Sequence, residues 1–111
     1  MSEPSTWLVQ VTADPSKHDV IRTHGKAHLE YNKSLVDSGI LIFGGPTLAR
    51  QPDHNADKGL QVAGYFAVLR VETELQAREA ISDNPFSQYG LWDWESAFVA
   101  PFRCTMSSGG A

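Results

Sequence analysis

The strand-forming segments of this chain carry apolar residues on both faces, yet only two helices are available to cover them. Thr6 to Thr12 sets Trp7, Val9 and Val11 against Thr6, Leu8 and Gln10. Val62 to Val71 puts Tyr65, Ala67, Leu69 and Val71 on one face, with Phe66 and Val68 on the other. Asp93 to Phe102 gathers Trp94, Ser96, Phe98, Ala100 and Phe102 on one side. A strand that is half solvated alternates cleanly between apolar and polar residues, so strands of this kind need a layer on each side.

The two helices sit between these strands. Val20, His24, Ala27 or His28, Tyr31 and Leu35 recur at three- and four-residue steps, the period of one helical face. Asp14-Pro15 reads as its N-cap and first helical residue, and Ser38-Gly39 as its end. Gly25 inside it costs about 1 kcal/mol relative to alanine, which marks a weak point or a place of close approach. A short strand from Ile40 to Phe43 is expected to break at Gly44-Gly45-Pro46, a sharp exit that lets the backbone approach a ligand. Leu48 to Gln61 shows no period and reads as a surface loop. The second helix spans Thr73 to Ser82. Thr73 and Gln76 form its capping box, and Leu75, Ala77, Ala80 and Ile81 its apolar stripe. Asp83-Asn84-Pro85-Phe86 ends it, and Ser87 to Leu91 is a connector with room for one helical turn.

The order is therefore β-α-β-β-α-β. Its simplest arrangement is a four-stranded antiparallel sheet with both helices on one face, a ferredoxin-like α+β sandwich. The other face then has to pack on a second sheet from another subunit, which predicts a homodimer. Residues 1–104 read as a single domain and residues 105–111 as a flexible tail.

Composition narrows the function classes. A net charge of −4 without a basic run argues against nucleic acid as partner. The single cysteine, Cys104, cannot form an internal disulfide and fits a reducing compartment. There is no apolar run of membrane-spanning length and no signal-peptide pattern, so a cytoplasmic protein without a membrane partner is expected.

The chemistry-bearing residues are few. His28 lies on the inward helical face and belongs to the side-chain type that titrates near neutrality, so it can carry a proton; otherwise it fills the helix–sheet interface. His24 and His28 share a face at i and i+4, which would suit a divalent metal if a carboxylate joined them. His18 and His54 read as solvated, His54 reaching a site only if its loop folds over. Tyr89, Trp92, Trp94 and Phe86 gather around the last strand, as core or as the wall of an aromatic pocket.

His28-Leu29-x-Tyr31, Leu35, Gly39 and Gly44-Gly45-Pro46, then Gly64, Ala77, Ala80, Asn84-Pro85-Phe86 and Gly90-Leu91, resemble the YciI-like domain over Trp7 to Phe102. That resemblance implies a dimeric α+β barrel and an active site of one histidine and one aspartate. It also implies small cyclic acids, lactones or hydroxyquinones as substrates, as in the wider fold group that includes muconolactone isomerases. Two positions depart from the family pattern. Gly25 stands where the family usually has arginine, and Asn84 stands where it has aspartate, with Asp83 one residue earlier. Either Asp83 serves, or the site works with an amide.

The expectation is a small-molecule enzyme, an isomerase or lyase without organic cofactor. His28 transfers the proton and Asp83 orients its ring; Asn84, Tyr31, Gly45, Phe86 and Trp94 bind substrate. The alternatives are a non-catalytic small-ligand binder and a metal-binding module built on His24 and His28.

Overall fold

The computed structural model describes residues 5–51 and 61–108. His54, with most of its loop, and the last three residues of the tail lie outside the described residues. Four strands, β1 (Thr6–Ala13), β2 (Leu41–Leu48), β3 (Val62–Arg70) and β4 (Trp92–Pro101), form an antiparallel sheet in the order β2-β3-β1-β4. Three α-helices accompany them: α1 (Asp19–Asp37), α2 (Glu74–Ser82) and the four-residue α3 (Pro85–Gln88). The fold is the ferredoxin-like α+β sandwich. No described helix is long and apolar enough to cross a membrane.

Local chemistry sets the helix ends. Asp14 does not cap α1; its carboxylate accepts from the Ser16 amide and starts a short 3-10 turn over Pro15–Lys17. The proline at the first position suits that turn, so α1 begins only at Asp19. At the other end Gly39 takes φ 80°, Ile40 N–H donates to the Leu35 carbonyl, and Gly39 N–H donates to the Val36 carbonyl. This is the Schellman closure, for which a residue without Cβ is favoured. The α2 capping box forms between Thr73 and Gln76. Leu75, placed in the α2 stripe by its spacing, is instead largely exposed, and Ala77 and Ile81 carry the contact.

The helices cover one sheet face. Val9, Val11, Leu41, Tyr65, Ala67 and Leu69 meet Val20, Ala77, Ile81, Phe86, Leu91 and Trp92 in one core. Burying each large member contributes roughly 1.5–3 kcal/mol. Two strand expectations change. β2 does not break at Gly44-Gly45-Pro46 but continues through it, pairing Gly44 with Ala67, Gly45 with Phe66 and Pro46 with Tyr65. Proline is tolerated because β2 is an edge strand.

β4 slips register against β1 between Gln10 and Thr12: Gln10 faces Phe98, but Thr12 faces Asp93. The Ser96 hydroxyl stitches this irregularity, accepting from Thr12 N–H and donating to the Asp93 carbonyl. The slip reverses the alternation. Trp94, Ala97 and Val99 therefore pack on the core, and Phe98 faces away from it.

Candidate functional site

α1 and the α2–α3 junction bring a histidine and two amides together beneath the helices. Asn84 is fully buried and caps α3: its Oδ1 accepts from Phe86 N–H at 2.9 Å. A carboxamide placed the other way round would set an NH2 against that N–H, so the cap fixes which end of Asn84 is oxygen. The same oxygen lies 2.8 Å from His28 Nδ1, which must then carry the hydrogen. Asn84 Nδ2 donates to Asn32 Oδ1 at 3.1 Å. That contact turns the Asn32 amide nitrogen toward His28 Nε2 and the Tyr65 hydroxyl, at 3.2 Å from each. One placement of hydrogens satisfies all five contacts. His28 is the neutral tautomer with hydrogen on Nδ1, and its basic lone pair sits on Nε2.

Protonating Nε2 would set its hydrogen against the Asn32 amide donor. Burial already holds the His28 pKa below its ordinary value, opposed only by the hydrogen bond to Asn84. Aromatic rings enclose the imidazole. Phe86 stacks on it with centroids 3.9 Å apart, and the rings of Tyr65 and Trp92 meet it edge to face. Desolvation also pushes the Tyr65 phenol up to about 12, so it stays a neutral hydroxyl.

The other sequence-predicted residues fall as follows. Asp83 is the exposed C-cap of α2, and the bond expected of its carboxylate is made by Asn84. Tyr31 ties α1 to α2 by donating its hydroxyl to the Ala80 carbonyl at 2.7 Å. Gly45 pairs with Phe66, and strand alternation puts both on the sheet face away from the helices. Trp94 packs at the edge of the core, whereas Trp92 touches the rings of His28, Tyr65 and Phe86. His24 stacks on Tyr89 with centroids 3.5 Å apart. Among the described residues no three His, Cys, Asp or Glu side chains converge as a metal-ligand group.

Sequence reasoning names Trp92 as core or as the wall of an aromatic pocket and Tyr65 only as a strand-face residue, and it does not name Asn32. The signal for Asn32 was present: it lies four residues after His28, so the two share a helical face. A shallow groove of about 500 Å³ opens elsewhere, lined by Leu35, Ile40, Val71 and Ala80 with Arg70, Glu72, Gln76 and Glu79 around them. None of the residues contacting His28 borders it.

A β-α-β-β-α-β sandwich with a buried histidine anchored to the start of a short helix defines the class. The chain belongs to the YCII-related domain family, whose model matches residues 6–102. It is 33% identical to the derivative of benzaldehyde biosynthesis cluster protein C of Emericella nidulans, over 81% of this chain and 91% of that protein. A xenovulene A biosynthesis cluster protein of Sarocladium schorii is 27% identical, over 95% and 93% of the two chains. In structure the chain resembles 5-chloro-2-hydroxyhydroquinone dehydrochlorinase of Burkholderia phenoliruptrix, solved in complex with 2,5-dihydroxybenzoquinone. The TM-score is 0.72 at 23% identity, covering 88% of this chain and 93% of that one.

Proposed function

We propose that this protein is a small-molecule enzyme in which His28 transfers a proton, an isomerase or lyase acting on a small cyclic acid, lactone or hydroxyquinone. The observation that carries the reading is the single hydrogen placement around His28, which presents a neutral imidazole with its lone pair on Nε2. The names of the relatives, biosynthetic-cluster proteins and a hydroxyhydroquinone dehydrochlorinase, support the substrate class.

Nε2 exchanges its Asn32 contact for the acidic C–H or O–H of the substrate and takes the proton. The electron pair left behind moves toward an adjacent carbonyl oxygen. Returning the proton at another carbon gives the isomer; expelling a leaving group gives elimination. Neither outcome needs an organic cofactor. Asn84 holds the ring in place through Nδ1 and spreads no negative charge onto it, so its role is positioning rather than charge relay.

Exchange of substrate C–H into deuterated water tests this without knowledge of the product. Across a panel of hydroxyquinones and lactones, at least one is expected to exchange faster with protein than without. His28→Ala should remove about 10²–10⁴ of that acceleration. His24→Ala and Asp83→Asn should retain it within a few-fold, since neither residue bonds to His28. A panel that exchanges equally with wild type and His28→Ala sinks the proposal. The cap that Asn32 places on Nε2 favours one other reading, a ligand-binding protein without turnover. It predicts saturable binding to the same panel with no exchange.

The partner proposed is a second copy of the chain. Leu8, Phe66, Val68 and Phe98 share the sheet face opposite the helices, and Phe43 and Phe98 are more than half exposed there.

A further inference from the structure

We infer that Tyr65 and Trp92 are the ligand-oxygen donors of the His28 site, a pair that selects a ring bearing a carbonyl or enolate oxygen. The inference rests on the proton-transfer reading above and adds the identity of the group that the site recognises. It starts from a count of hydrogens. The placement around His28 makes the Tyr65 hydroxyl an acceptor, from Asn32 Nδ2. Its own hydrogen meets no acceptor among the described residues.

Trp92 is in the same position. Its indole Nε1 is buried and has no hydrogen-bond partner among the described residues. Only 4% of Trp92 and 2% of Tyr65 is exposed. The indole has no acceptor function, and the phenol is kept neutral by burial, so both are donors at any ordinary pH. Their rings stack at 5.4 Å, and both rings touch the imidazole of His28.

A buried donor without an acceptor costs on the order of 1–3 kcal/mol, and natural cores carry few of them. Two donors on rings that both touch the His28 imidazole call for an acceptor that arrives with the ligand. The acceptors of the network are already used: Asn84 Oδ1 takes two hydrogens, Asn32 Oδ1 one and Nε2 one. The donor pair therefore discriminates by sign. It rewards an oxygen that gains negative charge when an adjacent proton leaves to Nε2. Donors aimed at a developing oxyanion are the means by which a site stabilises enolate formation. The aromatic surround of Phe86, Tyr65 and Trp92 favours a flat carbon skeleton on that oxygen.

The test titrates full-length protein carrying 15N-labelled tryptophan with 2,5-dihydroxybenzoquinone. The three indole signals are assigned by substitution. The expected result is a downfield move of the Trp92 N–H signal on binding. Trp92→Phe and Tyr65→Phe keep the rings and remove the donors. Each should weaken binding about tenfold with the circular dichroism unchanged. Where Trp92→Phe fails to fold, the wild-type indole signal and Tyr65→Phe decide.

A Trp92 signal that stays fixed while the probe binds overturns the inference. So does binding by both phenylalanine variants that matches wild type. If His28→Gln alone then loses the probe, the donor assignment fails and the proton-transfer reading stands. An ordered water that accepts from both donors and remains in place at saturating probe also overturns it. A probe that binds no variant and no wild type overturns it as well, and deuterium exchange then judges His28 separately.

Discussion

A neutral amide on Nδ1 leaves His28 without the negative charge that would hold it protonated. The sign of its pH dependence follows. Its folded pKa lies below the 6.5 of the free side chain, so between the two values the unfolded chain binds more protons than the folded one. Stability from this group is therefore complete above pH 6.5 and is lost as pH falls below it toward the folded value. The base form is likewise present throughout the neutral range. Asn84→Asp reverses the sign. A carboxylate beside Nδ1–H favours the imidazolium, and the His28 titration followed by NMR should move above 6.5. The variant also loses the donor to Asn32 Oδ1 and should be less stable by about 1–3 kcal/mol in urea unfolding. A His28 titration that stays below 6.5 in Asn84→Asp refutes this account of the site.

At this scale the sequence revealed His28 through periodicity and family resemblance, and left Asp83 and Asn84 as alternatives. What separates them is three-dimensional. Asp83 ends α2, while Asn84 starts α3, and only the residue that caps α3 turns its side chain inward. The unpartnered indole N–H of Trp92 is invisible in the sequence for a similar reason. Strand alternation marks it as core, and the lack of a partner for Nε1 appears only when every neighbour is placed.

At the scale of elements, sequence spacing recovered the order of strands and helices and the α2 capping box, because both depend on neighbours within a few residues. It misread features set by the partner strand. β2 continues through Gly44-Gly45-Pro46 because β3 lies alongside it. β4 reverses its faces because three extra residues are absorbed opposite Gln10 and Thr12. The two glycines Gly25 and Gly64 make the contrast measurable. A Cβ on Gly25 would meet nothing within 4 Å, so the residue is a weak point of α1 and not a place of close approach. Gly25→Ala should raise stability by about 0.5–1 kcal/mol. A Cβ on Gly64 would run into the Val11 carbonyl and the Thr47 hydroxyl from the neighbouring strands. Gly64→Ala should lower stability by about 1–3 kcal/mol or more, since backbone cannot step aside as a side chain can. Opposite signs in parallel urea titrations are the expected outcome. A stabilised Gly64→Ala would mean that β1, β2 and β3 are not packed in this register.

At the scale of the whole molecule, the sheet has one face under the helices and one face over which no described helix packs. Val9, Val11 and Leu69 are almost wholly buried by the helices, but Phe43 and Phe98 on the opposite side remain 54% and 57% exposed. Leu8, Phe66 and Val68 lie between them in the register β2-β3-β1-β4, so the apolar residues form a continuous band across all four strands. Large contiguous apolar patches are uncommon on monomers. Two such faces opposed across a two-fold axis would cover each other, each copy lending the other the layer that its own helices cannot supply. The register slip in β4 bears on this directly, because it turns Phe98 outward while keeping Trp94 inward. Phe98→Asp should therefore dissociate the proposed dimer with little change at His28. Sedimentation velocity at micromolar concentration should show wild type near twice the chain mass and Phe98→Asp near the chain mass, both with the same His28 titration. Trp94→Asp, on the covered face, should unfold the chain instead of releasing a folded monomer. A wild type that sediments as a stable monomer at those concentrations would rule out the sheet-to-sheet dimer.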